Sequence, residues 1–339
     1  MKSPATALVS VVLAGVFAVG IGSVVARGQA APGSAEAHLA VAKAAAGTEH
    51  AGLFSVICVP QEPPAPRTAP GEPAGPPPRA RWHAEPVQVF DNLYYLGEKT
   101  VSAWAVTTSA GIIVIDTIFD YAVEDEIVGG LEKLHLDPRQ IKYAIVTHGH
   151  DDHFSGAKYL QDRFDAHVML TGPDWDLVES APPQSKPKRD LVISDGQTLT
   201  LGDTTLTFYI TPGHTLGTVS IVIPVRDHGT PHVAVEWGGA SFSWVGNRPG
   251  YLSAARPRSF WFNQYINSAE RMRDVSAKVG ADVIISNHPI FDGSEAKLAA
   301  MATRKPGDPN PYVVGRDSVQ RYFTVANECA KAGLISNKD

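Results

Sequence analysis

Residues 144–153 read Ala-Ile-Val-Thr-His-Gly-His-Asp-Asp-His, and this stretch decides how the chain is interpreted. An apolar run typical of a buried strand leads directly into three histidines and a carboxylate. Neutral imidazole and carboxylate are ligands that zinc prefers. In an extended chain, residues i and i+2 point the same way, so His148 and His150 would bind one ion. Asp152 and His153 follow as the chain leaves the strand and would face a second ion. The alternative is a loop of solvated histidines.

Two more histidines stand where strands are predicted to end. His214 lies in Thr-Pro-Gly-His-Thr at 211–215, a tight turn after a predicted strand. His288 lies in Ser-Asn-His-Pro at 286–289, after another predicted strand. Active sites are commonly assembled on loops at the ends of strands, so we expect both histidines to join the cluster.

Composition narrows the class of protein. The chain has 339 residues, of which 44% are hydrophobic and 19% charged, which is typical of one large globular domain or two modest ones. Its net charge of −6 argues against a nucleic-acid partner, because phosphate binding requires a basic face. The partner that we expect is a small-molecule substrate, and we predict a monomer.

The first thirty residues have the pattern of an export signal. Lys2 precedes an apolar run from Ala5 to Ala26, and small residues follow at Gly28 and Ala30. The pattern predicts a signal peptide over 1–30 that is cleaved after Ala30. The apolar run is also long enough to span a bilayer, so a retained anchor is the alternative. Both alternatives predict an exported protein, either periplasmic or secreted. After cleavage of the signal peptide, we expect the protein not to be stably inserted in the membrane.

Export affects the interpretation of the two cysteines. In an oxidising compartment Cys58 and Cys329 can form a disulfide, whereas in a cytosolic enzyme they would be ordinary buried residues. The predicted bridge would tie an N-terminal arm to the last predicted helix. By the chain-entropy model such a long loop gains at most roughly 5 kcal/mol.

The chain divides into an arm and a compact domain. In the predicted N-terminal segment 31–81, an alanine-rich helix covers Ala35–Ala46 and stops at Gly47. Pro60–Arg81 contains nine prolines, which excludes helix and central strand and indicates a polyproline-like strap. The compact domain is expected over 82–339.

Hydrophobic patterns predict strands and helices interspersed in both halves of that domain. The predicted strands are Val87–Phe90, Leu93–Leu96, Val101–Thr107, Gly111–Asp116, Tyr143–Thr147, His167–Leu170, Asp190–Ile193, Thr198–Leu201, Thr205–Ile210, Thr218–Ile223, His232–Glu236 and Asp282–Ser286. The predicted helices are Tyr121–Leu134, Ser155–Phe164, Phe262–Val279, Ser294–Met301 and Asp317–Ala332. This arrangement indicates an α/β sandwich, with two sheets faced by helices.

Taken together, these motifs resemble the metallo-β-lactamase superfamily over about residues 82–303. The matching pieces are the His-x-His-x-Asp-His motif at 148–153, Asp116 after an apolar strand, the Pro-Gly-His-Thr turn and the late histidine. The resemblance implies the αββα fold and two zinc ions. It implies that His148, His150 and His214 bind the first ion, and that Asp152, His153 and His288 bind the second. It also implies that Asp116 fixes the ligand loop.

At one position the chain departs from many members of this superfamily, and the departure favours one subclass. Many hydrolases of this superfamily, including glyoxalase II-like thioesterases, carry a bridging aspartate after the strand predicted at His232–Glu236. This chain instead has Trp-Gly-Gly-Ala-Ser at 237–241. The histidine ligands and a serine-bearing turn look most like the third subclass of metallo-β-lactamases. Ser241 is the best match for that serine, with Ser243 as the alternative.

The resemblance and the ligand chemistry predict metal-assisted hydrolysis of a cyclic amide, the β-lactam ring, without a covalent enzyme intermediate. Asp152 would orient the attacking hydroxide and accept its proton, whereas Ser241 and Asn287 are candidates for contacting substrate. Two alternatives stay open. One is hydrolysis of a lactone, ester or thioester, and the other is a metal-binding protein without catalytic activity.

Overall fold

The structure is a computed structural model that describes residues 1, 31, 33–59, 75–242, 244 and 250–337. The predicted signal peptide falls almost wholly outside these residues, as does the strap segment 60–74. None of the helices in the described ranges is both long and apolar enough to cross a membrane.

Two sheets form the centre of the fold. The first has seven strands, ordered along the chain: β1 (Val87–Phe90), β2 (Leu93–Tyr95), β3 (Trp104–Thr108), β4 (Gly111–Ile115), β5 (Ile141–Ile145), β6 (His167–Thr171) and β7 (Leu191–Ile193). Its first four strands pair antiparallel, and β4 to β7 pair parallel. The carboxyl ends of β4 and β5 therefore lie at the same edge, where the 148–153 motif leaves the sheet.

The second sheet has five strands in the order β12-β11-β10-β9-β8: β8 (Thr198–Leu201), β9 (Thr204–Ile210), β10 (Val219–Asp227), β11 (Thr230–Trp237) and β12 (Val283–Ser286). Only β11 and β12 pair parallel. Trp237 pairs with Ser286, so these two strands end side by side. The loop after each strand therefore starts close to the other.

Helices cover the outer faces of both sheets. They are α1 (Ala35–Ala46), α2 (Ala51–Ile57), α3 (Arg79–Trp82), α4 (Gly129–Lys133), α5 (Asp151–Phe154), α6 (Ala157–Phe164), α7 (Gly172–Val178), α8 (Arg258–Val279), α9 (Pro289–Asp292), α10 (Ser294–Met301) and α11 (Arg316–Ser336). A π-helical turn, Glu124–Val128, runs into α4, and a 3₁₀ turn covers Pro138–Gln140.

Three apolar clusters match this layering. One lies between the two sheets and contains Ile115 and Ile221, a second lies outside the first sheet, and the third lies outside the second sheet under α8 and α11. Each sheet thus packs one face on the other sheet and one face on helices. The predicted αββα sandwich is confirmed.

The arm is part of this packing. In α1 and α2, Ala42 and Leu53 are fully buried in the cluster under α11. Cys58, directly after α2, forms a disulfide with Cys329 of α11, as the sequence predicted. The covalent bond and the shared core fix the two ends of the described chain together.

The predicted elements differ from the structure in three informative places. The helix predicted over Tyr121–Leu134 is a π-helical turn followed by the short α4, which begins at the pair Gly129-Gly130. The strap was expected to contain no helix, and this was wrong at its end, where α3 begins directly after Pro78. Proline fits immediately before a helix because its fixed φ suits entry into the first turn. Helix α7 was not predicted at all.

Candidate metal centre

The six predicted ligands come together at one edge of the sandwich. The turn after β5 supplies His148 and His150, and the same stretch continues into α5, which carries Asp152 and His153. The second sheet supplies the other two histidines, one in the turn between β9 and β10 and the other just after β12: His214 and His288. The six form two groups of three, and within each group the ligand atoms lie within 4.8 Å of one another.

The first group has three ring nitrogens facing one point. His214 Nε2 lies 3.1 Å from His148 Nε2 and 3.0 Å from His150 Nδ1. Two nitrogens bound to one tetrahedral zinc at about 2.0–2.1 Å would lie roughly 3.3 Å apart. The observed spacing therefore fits a zinc ion between the three imidazoles, with a fourth coordination position left open.

The second group combines two imidazoles with a carboxylate. His153 Nε2 lies 3.2 Å from His288 Nε2. The Asp152 carboxylate lies 3.7 Å from His153 Nε2 and 3.8 Å from His288 Nε2. A nitrogen and oxygen donor set of this kind also fits zinc.

Backbone carbonyls hold three of the histidines from behind. Each histidine donates its Nδ1 proton to a carbonyl oxygen, which fixes the tautomer and leaves Nε2 as the ligand atom. These bonds are His148 to Gly238 at 3.0 Å, His214 to Ser241 at 2.7 Å and His288 to Thr100 at 2.7 Å.

His150 is held by a side chain. Its Nε2 contacts the hydroxyl of Tyr251, so Nδ1 is the nitrogen that faces the first group. Tyr251 is itself nearly buried, and its ring packs on Trp261 of α8. Tyr251 lies 101 positions from His150, and nothing in the sequence around it signals this contact.

Asp116 supports the ligand stretch from below. Its fully buried carboxylate accepts the Thr147 N–H at 2.7 Å, the Thr147 hydroxyl at 2.8 Å and the His153 Nδ1 proton at 2.8 Å. Asp116 has a φ of 57°, a left-handed conformation that aspartate tolerates better than most residues. The carboxylate therefore orients His153, and it lies in neither of the two ligand groups.

Asp174 of α7 has a comparable position that the sequence reasoning missed. Its buried carboxylate accepts the N–H of Gly149 at 2.8 Å, the N–H of Gly217 at 2.9 Å and the hydroxyl of Thr215 at 2.7 Å. Burial raises the pKa of Asp174 to about 6. In the sequence, only its place directly after a Gly-Pro pair that starts a helix could have pointed to Asp174. Its three partners lie far away in the sequence, so its role could not be predicted.

The two predicted substrate contacts lie elsewhere. Asn287 is fully buried and donates its side-chain N–H to the Gly238 carbonyl at 2.7 Å, so it supports the turn after β11. Ser241 places its hydroxyl 3.3 Å from Nδ1 of His214, behind that ring. Ser243 lies outside the described residues.

Where many hydrolases of this kind carry a bridging aspartate, the chain has a glycine pair directly after β11, and the packing around the pair leaves no room for a side chain. A Cβ atom on Gly239 would lie 2.7 Å from the His214 side chain, and one on Gly238 would lie 1.7 Å from the Val219 carbonyl oxygen. The backbone therefore approaches His214 more closely than a residue with a side chain would allow. Residues 237–241 supply no carboxylate to the centre.

Electrostatics favour the metal-binding form at most of these ligands, and His153 is the exception. Burial lowers the pKa of His148 well below its ordinary value and lowers that of His214 to about 4. Burial alone would raise the pKa of Asp152, but the imidazoles of His153 and His288 outweigh it and lower that pKa. Burial alone would lower the pKa of His153, but the Asp152 and Asp116 carboxylates outweigh it and raise that pKa. Because a metal ion binds the neutral imidazole, metal binding in the second group would displace a proton from His153.

The remaining histidines belong to neither group. Several have local partners instead. His83 pairs with Glu126, His232 with Asp282 and His167 with Asp190.

Comparisons with known proteins agree with this geometry. A model of the metallo-β-lactamase superfamily matches residues 96–228. The hydroxyacylglutathione hydrolase of Acidiphilium cryptum is 31% identical over 90 residues, which are 26% of this chain and 34% of that protein. This chain thus spans about a third of the length of the curated relatives that it matches.

Solved structures share the fold over a larger part of the chain. BJP-1, a subclass B3 metallo-β-lactamase of Bradyrhizobium japonicum, is 25% identical with a TM-score of 0.60, covering 70% of this chain and 89% of that one. The FEZ-1 metallo-β-lactamase from Legionella gormanii is 22% identical with a TM-score of 0.60, covering 71% of this chain and 91% of that one. The likeness covers a larger share of the chain than the segment matched by the family model. The two ligand groups, the αββα sandwich and these matches establish that the chain contains a metallo-β-lactamase superfamily domain.

Proposed function

We propose that the protein is an exported, zinc-dependent hydrolase that opens the cyclic amide of a β-lactam. The observation that carries this proposal is the pair of adjacent ligand groups, one of three imidazoles and one of two imidazoles with a carboxylate. A structural zinc site is usually closed by four protein ligands, whereas each group here offers three. The likeness to subclass B3 enzymes supports the choice of substrate.

The donor set fits two zinc ions. When bound, they would supply hydroxide at neutral pH and polarise the substrate carbonyl. The chain's own residues hold the geometry that this chemistry needs. Backbone carbonyls fix the tautomers of His148 and His214, so each presents Nε2, and the Tyr251 hydroxyl contacts Nε2 of His150, so its Nδ1 faces the same point.

Asp152 is an ionised carboxylate placed to orient the attacking water. Its carboxylate has a lowered pKa and is ionised at neutral pH, and its side chain retains about a fifth of its exposure. It can therefore orient the attacking water by accepting its hydrogen bond, whereas the lowered pKa makes it a weak base for the proton of that water. Asp116 contributes indirectly by holding His153 through Nδ1.

Export is part of the proposal. The disulfide between Cys58 and Cys329 supports it, because such bonds persist in oxidising compartments. The predicted leader adds sequence support.

A second candidate is hydrolysis of a thioester, lactone or ester. The match to hydroxyacylglutathione hydrolases favours it. The glycine pair at 238–239 argues against it, because the glyoxalase II-like enzymes carry a bridging aspartate near that position.

The test is hydrolysis of a penicillin and a carbapenem by the purified, zinc-loaded protein at several enzyme concentrations, with a chelator control. A panel containing a glutathione thioester and an acyl lactone is run in parallel. Rapid ring opening that the chelator abolishes is the expected result. No β-lactam opening by a protein with two zinc ions bound would overturn the β-lactamase proposal, and turnover of another substrate would then identify the bond. No turnover of any substrate would favour a metal-binding role without catalysis.

A further inference from the structure

We propose that the disulfide-tethered N-terminal arm, defined as residues 33–59, positions the second ligand group through the turn that carries His288. Five of the six ligands lie within the family-matched segment 96–228, and His288 lies outside it. The arm also lies outside that segment. The inference rests on the proposed two-metal centre and concerns how this chain supports one half of it.

The arm is fixed to the C-terminal helix at several points. Cys58 is bonded to Cys329, His38 Nδ1 lies 2.6 Å from the Glu328 carboxylate, and His50 Nε2 lies 3.0 Å from the Ser318 carbonyl oxygen. Leu53 and Ile57 of α2 are buried in the cluster beneath α11. Helix α2 therefore has a defined position on the body of the protein.

From that position α2 contacts the backbone of α9. A Cβ atom on Gly52 would lie 2.1 Å from the Ile290 carbonyl oxygen and 3.2 Å from the Ile290 carbonyl carbon. Helix α9 begins at Pro289, immediately after the ligand His288. The close approach is possible because residue 52 is glycine, and it brings the arm within two residues of a ligand.

The apolar cluster that contains the arm also reaches the imidazole through Phe291. Phe291 is nearly buried in the same apolar cluster as Leu53. Its ring meets the His288 ring edge to face, with centroids 5.5 Å apart and an interplanar angle of 88°. The arm thus supports both the backbone and the ring of the turn.

Other contacts complete the support of this turn. Asp292 accepts the N–H of Ser286 at 3.0 Å and of Ser294 at 2.8 Å, which closes the loop on the end of β12. On the opposite side, Thr100 accepts the Nδ1 proton of His288 at 2.7 Å. If the arm is displaced, His288 keeps its carbonyl partner but loses the packing of α9 on α2.

The experiment measures metal affinity separately in the two groups. The full chain is titrated with cadmium and followed by cadmium NMR. One group has three imidazoles and the other has two imidazoles and a carboxylate, so we expect a cadmium ion in each group to give its own resonance. His288→Ala assigns the second resonance. Gly52→Ala is the test variant, and Gly172→Ala is the matched control, because a Cβ atom at that helical glycine meets nothing within 4 Å.

We expect Gly52→Ala to weaken cadmium binding about 10–100-fold in the second group, the range seen for residues that orient a ligand, and less than about twofold in the first. Gly172→Ala should match the wild type in both. Equal weakening in both groups, or unchanged binding in a folded Gly52→Ala protein, would overturn the proposal.

A second variant covers the case in which Gly52→Ala does not fold. Cys58→Ser with Cys329→Ser releases the arm covalently, and hydrogen exchange of 286–293 is compared with that of 145–153. Faster exchange confined to 286–293, with selective loss of second-group affinity, is expected. Unchanged exchange and affinity would count against the arm. These readouts involve no substrate, so a protein that hydrolyses no β-lactam can still show the effect, whereas a wild type binding fewer than two cadmium ions would overturn both this inference and the two-metal centre.

Discussion

The Asp174 carboxylate accepts the backbone N–H of Gly149 at 2.8 Å, and Gly149 is the residue between the ligands His148 and His150. The same carboxylate accepts the N–H of Gly217 and the hydroxyl of Thr215, on the turn that carries His214. One buried side chain therefore connects both loops of the first ligand group. Its partners come from two different sheets.

Asp174→Asn should weaken zinc binding in the first group by about 10–100-fold, because the amide nitrogen cannot accept one set of these bonds. It should also lower the free energy of unfolding by about 1–3 kcal/mol, since a buried donor loses its acceptor. Chelator-competition titrations and denaturant unfolding measure both effects. Asp190→Asn is the control, because Asp190 contacts His167 and the Val168 N–H on the surface. Equal zinc affinity in the two variants would contradict the assignment.

His150→Ala removes one of the three nitrogens of the first group. We expect turnover of any substrate identified for the enzyme to fall at least about a thousandfold, since several kcal/mol of transition-state stabilisation are lost. His167→Ala, at an exposed histidine outside both groups, should keep wild-type turnover. Circular dichroism checks that both variants fold. Near-normal turnover by His150→Ala would refute the metal assignment.

Gly239→Ala should disturb the first group through sterics alone. The new methyl carbon would lie 2.7 Å from the His214 side chain, so the imidazole or the backbone must move. The expected result is weaker zinc binding with little change in the second group. Gly129→Ala serves as the comparison, because a Cβ atom there makes an ordinary contact of 3.5 Å. Wild-type zinc affinity in Gly239→Ala would show that the turn relaxes without cost.

Glu236→Gln should stabilise the protein increasingly as pH rises. Glu236 is fully buried, and its carboxyl oxygens have no hydrogen-bond partner among the described residues. Burial, with Asp116 and Asp292 nearby, raises its pKa well above the ordinary value. The charged form is therefore penalised only in the folded state, and stability falls as pH rises above the unfolded-state pKa.

Thermal unfolding of both proteins from pH 4.5 to pH 9 measures this effect. The melting temperature of Glu236→Gln minus that of the wild type should be smallest at the acid end and grow toward neutral pH. A difference that is constant across the range would mean that the carboxyl titrates normally in the folded protein.

The sequence predicted elements best where local chemistry alone decides them. Helix α1 has the predicted bounds, because an alanine-rich run is capped by the Ser34 hydroxyl and ended by Gly47. Strand β5 ends two residues earlier than predicted. Beyond Ile145, the Val146 N–H bonds to Met169, but the Thr147 N–H bonds to the Asp116 side chain, which the sequence could not reveal.

The ligand set followed from a dense motif and a family resemblance, and the structure groups it in the same two sets. The supporting residues were harder to predict. Asp174, Tyr251 and Gly52 act through partners that are 25, 101 and 238 positions away, the last being the difference between 290 and 52. Contacts between residues so far apart in the chain leave no periodic pattern or fixed spacing in the sequence from which they could be predicted. The burial of Asn287 was also not predicted, because it depends on the packing of β12 and not on the residues beside it.

Each ligand group draws on both sheets. In the first, the turn after β5 faces His214 of the second sheet, and in the second, α5 faces His288 after β12. Ions bound there would cross-link the two halves of the sandwich. By mass action, every tenfold rise in free zinc above the dissociation constant would then add about 1.4 kcal/mol per site to the stability of the native state. The resistance of this protein to heat and proteolysis would consequently vary with the zinc supply of the compartment that it occupies.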